Sequence, residues 1–223
     1  MKFHQKSMCK LIGRYVRRPL TGAEIGVFRG DTARIIHAQW PACRMLLVDP
    51  WREVAADDSY AIGGGHMGSM TQAEWDAIYD EAMVNIACSG GPSLVWRMTS
   101  AEAAAIVPDW SLDFVFIDAD HTYEGTLRDI ALWLPKCRKL IMGHDYNAKA
   151  ERFLNLWGVK KAVDTVFGEE RVFKRKGYVW AFRIPRHWRN RQKLQRHANH
   201  LVDRLSRLSP THTQEPSPSS PSS

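Results

Sequence analysis

Short apolar runs alternate with stretches of helical spacing between residues 23 and 184. Apolar runs of strand length fall at 23–28 (AEIGVF), 44–49 (RMLLVD), 93–98 (SLVWRM), 112–118 (LDFVFID) and 139–143. The 112–118 run is the most continuously apolar, as expected of a central strand covered on both faces. Between them, the spacing of apolar positions predicts helices over 31–39, 74–87, a short stretch opened by Ser100, 123–134 and 151–166. Asp31-Thr32 and Ser100 are residue types that cap helix starts. Residues 170–184 read as two strands joined near Lys176-Gly177, so the sheet ends in an antiparallel hairpin. Regular strand–helix alternation of this kind builds a mostly parallel α/β sheet. The first 20 residues are basic without a long apolar stretch. They predict a short helix packed on the domain rather than a secretory signal.

Two segments fall outside the alternation. Residues 55–72 form a long loop centred on GGGHMGSM, of a length that usually serves as a lid or stays unstructured. His66 is its one candidate for reaching a site. The C-terminal part, 185–223, is basic and then low in complexity, ending in SPTHTQEPSPSSPSS. The expected organisation is one domain over 1–184 and an appendage over 185–223. Charge sharpens that division. The chain of 223 residues has a net charge of +7, but eight of its 31 Lys/Arg and only one of its 24 acids lie between 183 and 207. The remainder is neutral, so a nucleic-acid partner, if any, would be gripped by the tail and not by the domain face. No apolar run approaches the ~20 residues that span a bilayer. The four cysteines are widely spaced with no C-x-x-C pair, which excludes a zinc ribbon or thioredoxin motif and fits reduced thiols in a cytoplasmic protein.

The chemistry begins at the first strand–helix junction, Glu24-Ile25-Gly26-Val27-Phe28-Arg29-Gly30. Two glycines at such a turn allow a ligand close to the backbone, although many junctions carry them only for packing. The second strand ends in Asp49, where Rossmann-type folds place the acid that holds ribose hydroxyls. Trp51 follows, able either to stack on a base or to cover the sheet edge. A dinucleotide site wants G-x-G-x-x-G for pyrophosphate. Here the spacing is G-x-x-x-G and Glu24 ends the strand. A carboxylate repels pyrophosphate but attracts the ammonium and sulfonium of S-adenosylmethionine (SAM). The residues therefore favour SAM over NAD.

The ordered series AEIGVFRG, LLVDPW, TSAEAA, LDFVFIDADHTYEGTLRDIALWLPK and IMGHDY resembles class I SAM-dependent methyltransferases, above all methyltransferase family 24. It is also similar to metal-dependent sugar O-methyltransferases, to cephalosporin-hydroxylase-like proteins and, more distantly, to catechol O-methyltransferases. The resemblance spans roughly 22–184. It implies a Rossmann-like seven-stranded sheet of order 3-2-1-4-5-7-6 with the last strand antiparallel and helices on both faces. It implies that Glu24, Gly26, Phe28 and Gly30 surround the methionine end of SAM, that Asp49 and Trp51 meet the nucleoside, that Ser100 and Ala101 lie near adenine, and that Asp118 faces the cofactor. One departure stands out: relatives carry two glycines before the fifth strand where this chain has Arg138-Lys139.

Asp118, His144 and Asp145 close two neighbouring strands of the resembling fold, where metal-dependent relatives bind a cation. Such an ion would lower the pKa of an acceptor hydroxyl and orient it for in-line attack on the methyl group. Mg2+ prefers all-oxygen ligands, so His144 suits Mn2+ or iron better. Alternatively, His144 and Asp145 only contact SAM or acceptor. His121 takes the position of the general base in catechol-type relatives, with a helix-capping role as the structural alternative. The expected function is SAM-dependent O-methylation of a small acceptor such as a sugar or polyol, with His121 and Asp118 catalytic. The rivals are an RNA methyltransferase using the basic tail and a non-catalytic SAM-binding protein. Oligomeric state is left open, a homo-oligomer included.

Overall fold

The structure is a computed structural model that describes residues 3–55, 65–147 and 158–189. The elements run α1 (Phe3–Tyr15), β1 (Thr21–Ile25), α2 (Asp31–Gln39), β2 (Arg44–Asp49), α3 (Gln72–Ala87), β3 (Ser93–Arg97), α4 (Ser100–Ile106), β4 (Leu112–Ile117), α5 (Tyr123–Trp133), β5 (Cys137–Gly143), α6 (Val159–Phe167), β6 (Phe173–Arg175) and β7 (Val179–Arg183). Seven strands form one sheet of order β3-β2-β1-β4-β5-β7-β6. The first five are parallel, and β7 runs antiparallel between β5 and β6. This is the order the resemblance implied.

The sheet is covered on both faces, which explains why its strands read as unbroken apolar runs. On β4, Val115 and Ile117 join the layer under α4, α5 and α6, with Leu127, Trp133 and Phe167. Phe114 and Phe116 point the other way, with Ile12 of α1, Ile36 of α2 and Trp75 of α3. The predicted N-terminal helix thus packs on the domain as α1. The four cysteines are free, three of them buried. No described helix is long and apolar enough to cross a membrane.

Several local expectations shift. The first strand ends at Ile25, because Gly26 and Phe28 both adopt positive φ and turn the chain. Gly30, at φ 77°, caps α2 without a side-chain bond, so Asp31-Thr32 lies inside the helix. The cap of α4 is Thr99, which forms a capping box with Glu102; Ser100 is the first helical residue. Arg138 and Lys139 belong to β5, where both pair with buried Asp113 of β4 at 3.0 and 2.9 Å. Side chains there hold the strands together at the positions where the resemblance implied glycines.

The ends of the long loop are tied to each other. Glu53 N–H donates to Gln72 Oε1 and Gln72 N–H to Glu53 Oε2, both at 3.1 Å. Residues 65–69 form a 3-10 turn, while 56–64 and the His66 side chain lie outside the described residues. So do 151–157 of the predicted 151–166 helix and the tail beyond 189. The packed unit runs slightly past 184, since the Trp188 ring lies 5.5 Å from that of Phe182.

Candidate active site

The parallel strands deliver their C-terminal ends to one edge, the edge at which open α/β sheets bind ligands. Gly26 is the pivot of that edge. A Cβ on it would lie 2.2 Å from the carbonyl oxygen of Asp118, and its φ is +85°. Its N–H reaches Val48 O at 2.9 Å, and Asp118 N–H reaches Ile25 O at 2.8 Å. The ends of β1, β2 and β4 are therefore as close as backbone allows, and only glycine fits between them.

Glu24 is 2% exposed. Burial pushes its carboxyl well above the ordinary range, the Thr32 hydroxyl opposes that shift, and Asp118, Asp49 and Asp31 add to it. Oε2 has no hydrogen-bond partner among the described residues. A buried carboxylate oxygen left unpaired is costly, and a cation is the partner that would satisfy it. The α-ammonium of SAM meets that need, so Glu24 fits the cofactor that the sequence implied. Sequence reasoning read Thr32 only as a helix cap and missed its bond to Glu24. Its signal was a hydroxyl residue two positions after Gly30, at the start of a helix beside the buried acid.

Asp49 has a different first task. Its Oδ2 accepts from Val27 N–H (2.8 Å) and Phe28 N–H (3.0 Å), and Oδ1 accepts from Trp51 N–H (2.8 Å). A carboxylate offers about four acceptor sites, so one remains for a ribose hydroxyl rather than the two expected for a diol. Asp49 shapes the β1–α2 turn through these bonds. Burial raises its pKa, while the three amides pull it back. Trp51 is fully buried, its indole N–H donating to Phe28 O at 2.8 Å and its ring set edge-on to Tyr79. This is the sheet-covering alternative: a ring with no exposed face is not placed to stack on a base. Gly30 packs against Ile86 and Ala82 of α3. Phe28 is half-buried beside Trp75.

At the expected adenine end, Ala101 is exposed on the first turn of α4. Ser100 is committed to a network: its hydroxyl donates to Asp129 Oδ1 at 2.5 Å and accepts from Trp133 Nε1–H at 2.9 Å. Asp129 is buried, and desolvation pushes its pKa up to about 6 against the Ser100 bond.

The strongest concentration of chemistry lies where β4 and β5 end. Gly143 packs so tightly on β4 that an added Cβ would lie 2.4 Å from Ile117 O. His144 N–H continues the contact to Ile117 O at 3.2 Å. Asp145 then turns at φ 55°, a left-handed conformation that Asp tolerates better than most residues. His121 Nε2 lies 3.0 Å from Asp145 Oδ2 and 3.5 Å from Asp118 Oδ1. His144 Nδ1 lies 3.2 and 3.6 Å from the same two oxygens. Burial alone would lower both imidazoles, but the two carboxylates outweigh it. They push His121 up to about 9 and His144 up to about 10. In return the imidazoles hold Asp118 and Asp145 below the usual carboxylate range against the effect of burial. Among the described residues, Asp118, His121 and Asp145 bring one ligand atom each within 4.8 Å of one another. That set shares Asp118 and Asp145 with the expected one but has His121 in place of His144.

A model of the methyltransferase domain, family 24, matches residues 23–146. No curated protein sequence matches the chain. Among solved structures, a candidate O-methyltransferase from Klebsiella pneumoniae is similar at 15% identity and a TM-score of 0.57, over 83% of this chain and 82% of that one. The SAM-bound O-methyltransferase TomG from Streptomyces achromogenes, involved in tomaymycin synthesis, is similar at 15% identity and 0.53, over 81% and 80%. The N-methyltransferase NodS from Bradyrhizobium japonicum is similar at 11% identity and 0.50, over 81% and 94%. Likeness at this level is likeness of fold, shared by enzymes that methylate oxygen and nitrogen. The family match covers more than half of the chain and contains Glu24, Asp49, Asp118, His121, His144 and Asp145, so the protein belongs to methyltransferase family 24, of the class I SAM-dependent type.

Proposed function

We propose that this protein transfers the methyl group of SAM to a hydroxyl oxygen of a small acceptor such as a sugar or polyol. The observation that carries the reading is the cluster of Asp118, His121, His144 and Asp145 beside the cofactor edge. Oxygen methylation needs a group to take the hydroxyl proton as the oxygen attacks the methyl carbon in line with sulfur. An amine acceptor has less need of such machinery.

On this reading Glu24 neutralises the ammonium of the cofactor and Asp49 offers one acceptor to the ribose. Ala101 and the first turn of α4 border the adenine. Asp118 lies between the cofactor and acceptor sides. His121 can take the proton at Nε2, the atom nearest both carboxylates, only in its neutral form. With pKa values of about 9 and 10, both imidazoles are held protonated at neutral pH. The four side chains then sum to zero charge. Neutral imidazoles with one divalent cation sum to zero too, so the donor set fits Mn2+ or iron, and fits Mg2+ less well because of its nitrogens. Bound there, a cation would acidify a coordinated hydroxyl and lower the imidazole pKa values. A domain that begins at the N-terminal helix and runs slightly past 184, followed by a basic appendage, completes the proposal.

Calorimetry with SAM, using NAD as a control, tests the cofactor. Release of S-adenosylhomocysteine (SAH) with a panel of hydroxylated acceptors tests the reaction. Asp118→Asn is expected to abolish SAH production while SAM still binds. Undiminished turnover in that variant refutes the assignment.

A further inference from the structure

The N-terminal helix starts at the same edge of the sheet where the cluster sits. His4 of α1 places its ring 4.6 Å from that of His144, tilted by 49°. The first turn of α1 also rests on the turn between β6 and β7. A Cβ on Gly177 would lie 2.6 Å from His4 N and 3.1 Å from the carbonyl carbon of Phe3. One turn further on, the Ser7 hydroxyl donates to Lys176 O at 2.7 Å. The β6–β7 turn is tied to the cluster as well, because Tyr146 N–H, two residues after His144, donates to Tyr178 O at 2.9 Å. Two distant parts of the chain thus meet on the rim beside His144.

Each carries an exposed aromatic residue. Phe3 is 72% exposed and Tyr178 51% exposed. Tyr178 sits at φ 58°, which costs backbone energy for a bulky residue. The other large exposed apolar residues among those described are Leu20, Met83, Val84, Leu94 and Ile106, none of them aromatic. Aromatic surface left open to water beside a polar reaction centre is characteristic of a ligand-binding rim. Linear polyols hydrate along their whole length and gain little from such a surface. A ring with an apolar face, whether a pyranose or a phenol, gains from stacking on it.

We propose that Phe3, His4 and Tyr178 form the wall that holds the body of the acceptor, and that this acceptor is a ring compound rather than an open-chain polyol. The inference rests on the methyltransferase reading above, with reaction at the cluster and recognition at the rim. The imidazole of His4 holds the near edge of the ring beside His144, and the two exposed aromatics take its apolar face.

Saturation-transfer NMR on the full chain with SAH present tests the wall with simple probes in place of the natural acceptor. The ring probes are catechol and methyl β-D-glucopyranoside, and erythritol is the open-chain control. At least one ring probe is expected to bind saturably and more tightly than erythritol. Phe3→Ala, His4→Ala and Tyr178→Ala should each weaken it roughly three- to tenfold, the worth of one aromatic contact. SAH affinity should stay unchanged, which also shows that the variants are folded. Equal binding of the ring probe to wild type and all three variants overturns the wall. So does erythritol binding as tightly as the rings, or no ring binding by protein that binds SAH. Protein that is folded but binds no SAH defeats the methyltransferase reading instead, a separate outcome.

Discussion

Asp129 gives a prediction whose size follows from the structure. Its carboxyl is 3% exposed and accepts the Ser100 hydroxyl at 2.5 Å. Desolvation places its pKa at about 6, against an ordinary 3.8. A carboxyl with a raised folded pKa binds its proton more tightly in the native than in the unfolded chain. Between pH 4 and 6 the native state therefore holds more protons, and stability falls as pH rises through that window. A difference of about two pKa units at 1.36 kcal/mol each makes ionised Asp129 a cost of about 3 kcal/mol above pH 7. Asp129→Asn keeps a neutral acceptor for Ser100 and removes the ionisation. Urea unfolding of both proteins from pH 4 to pH 8 isolates the effect, because other titrating groups cancel in the difference. The variant is expected to gain about 3 kcal/mol on the wild type across that range, most of it between pH 4 and 6. A stability difference independent of pH would refute the argument. Ser100 opens α4 next to the expected adenine, so SAM affinity measured over the same range should follow the same transition.

Three further outcomes follow from the site. Glu24→Gln removes a buried carboxylate with one unpaired oxygen, so the ligand-free protein should melt no lower than wild type. It should bind SAM roughly ten- to a hundredfold more weakly by calorimetry, the loss of one charge-assisted bond; equal affinity would detach Glu24 from the cofactor. Gly26→Ala meets Asp118 O at 2.2 Å with φ at +85°, and should cost at least about 2 kcal/mol in denaturant unfolding. If a cation completes the β4–β5 cluster, exhaustive chelation should abolish SAH production with an accepted substrate and Mn2+ should restore it. Full activity after chelation leaves His121 to work with the carboxylates alone.

The sheet was legible in the sequence because burial on both faces writes itself as uninterrupted apolar runs. β2 begins and ends where RMLLVD does. The boundaries that moved are those where backbone geometry outranks side-chain type. β1 stops at Ile25 because positive φ at Gly26 breaks it, and α2 is capped by a left-handed glycine that no polar-cap rule anticipates. The β4–β5 cluster was legible as a set of residues but not as a division of labour. Asp118, His121, His144 and Asp145 were all singled out from the chain, yet their roles as base or ligand depended on distances. His121 and His144 prove to share the same two carboxylates. His4 carried no signal, since its place is set by a helix docking some 140 positions away in sequence, and only the packing of α1 reveals it.

The acids of the site separate by what already satisfies them. Asp49 spends three of its acceptor sites on the β1–α2 turn. Asp118 and Asp145 are balanced by two imidazoles, which keeps all four charged in a crowded, half-buried space. Glu24 alone retains a buried oxygen with no described partner. Positive charge brought by a ligand is therefore worth most at Glu24, where it relieves an existing penalty. At Asp118 and Asp145 it must displace protons that are firmly held. This ordering predicts that SAM binds without any added cation, and that a cation follows only as the histidines give up their protons. Calorimetry of SAM in the presence of a chelator distinguishes the two: binding that survives unchanged supports this ordering, while a cofactor affinity that collapses would mean that the cluster, not Glu24, anchors the ligand.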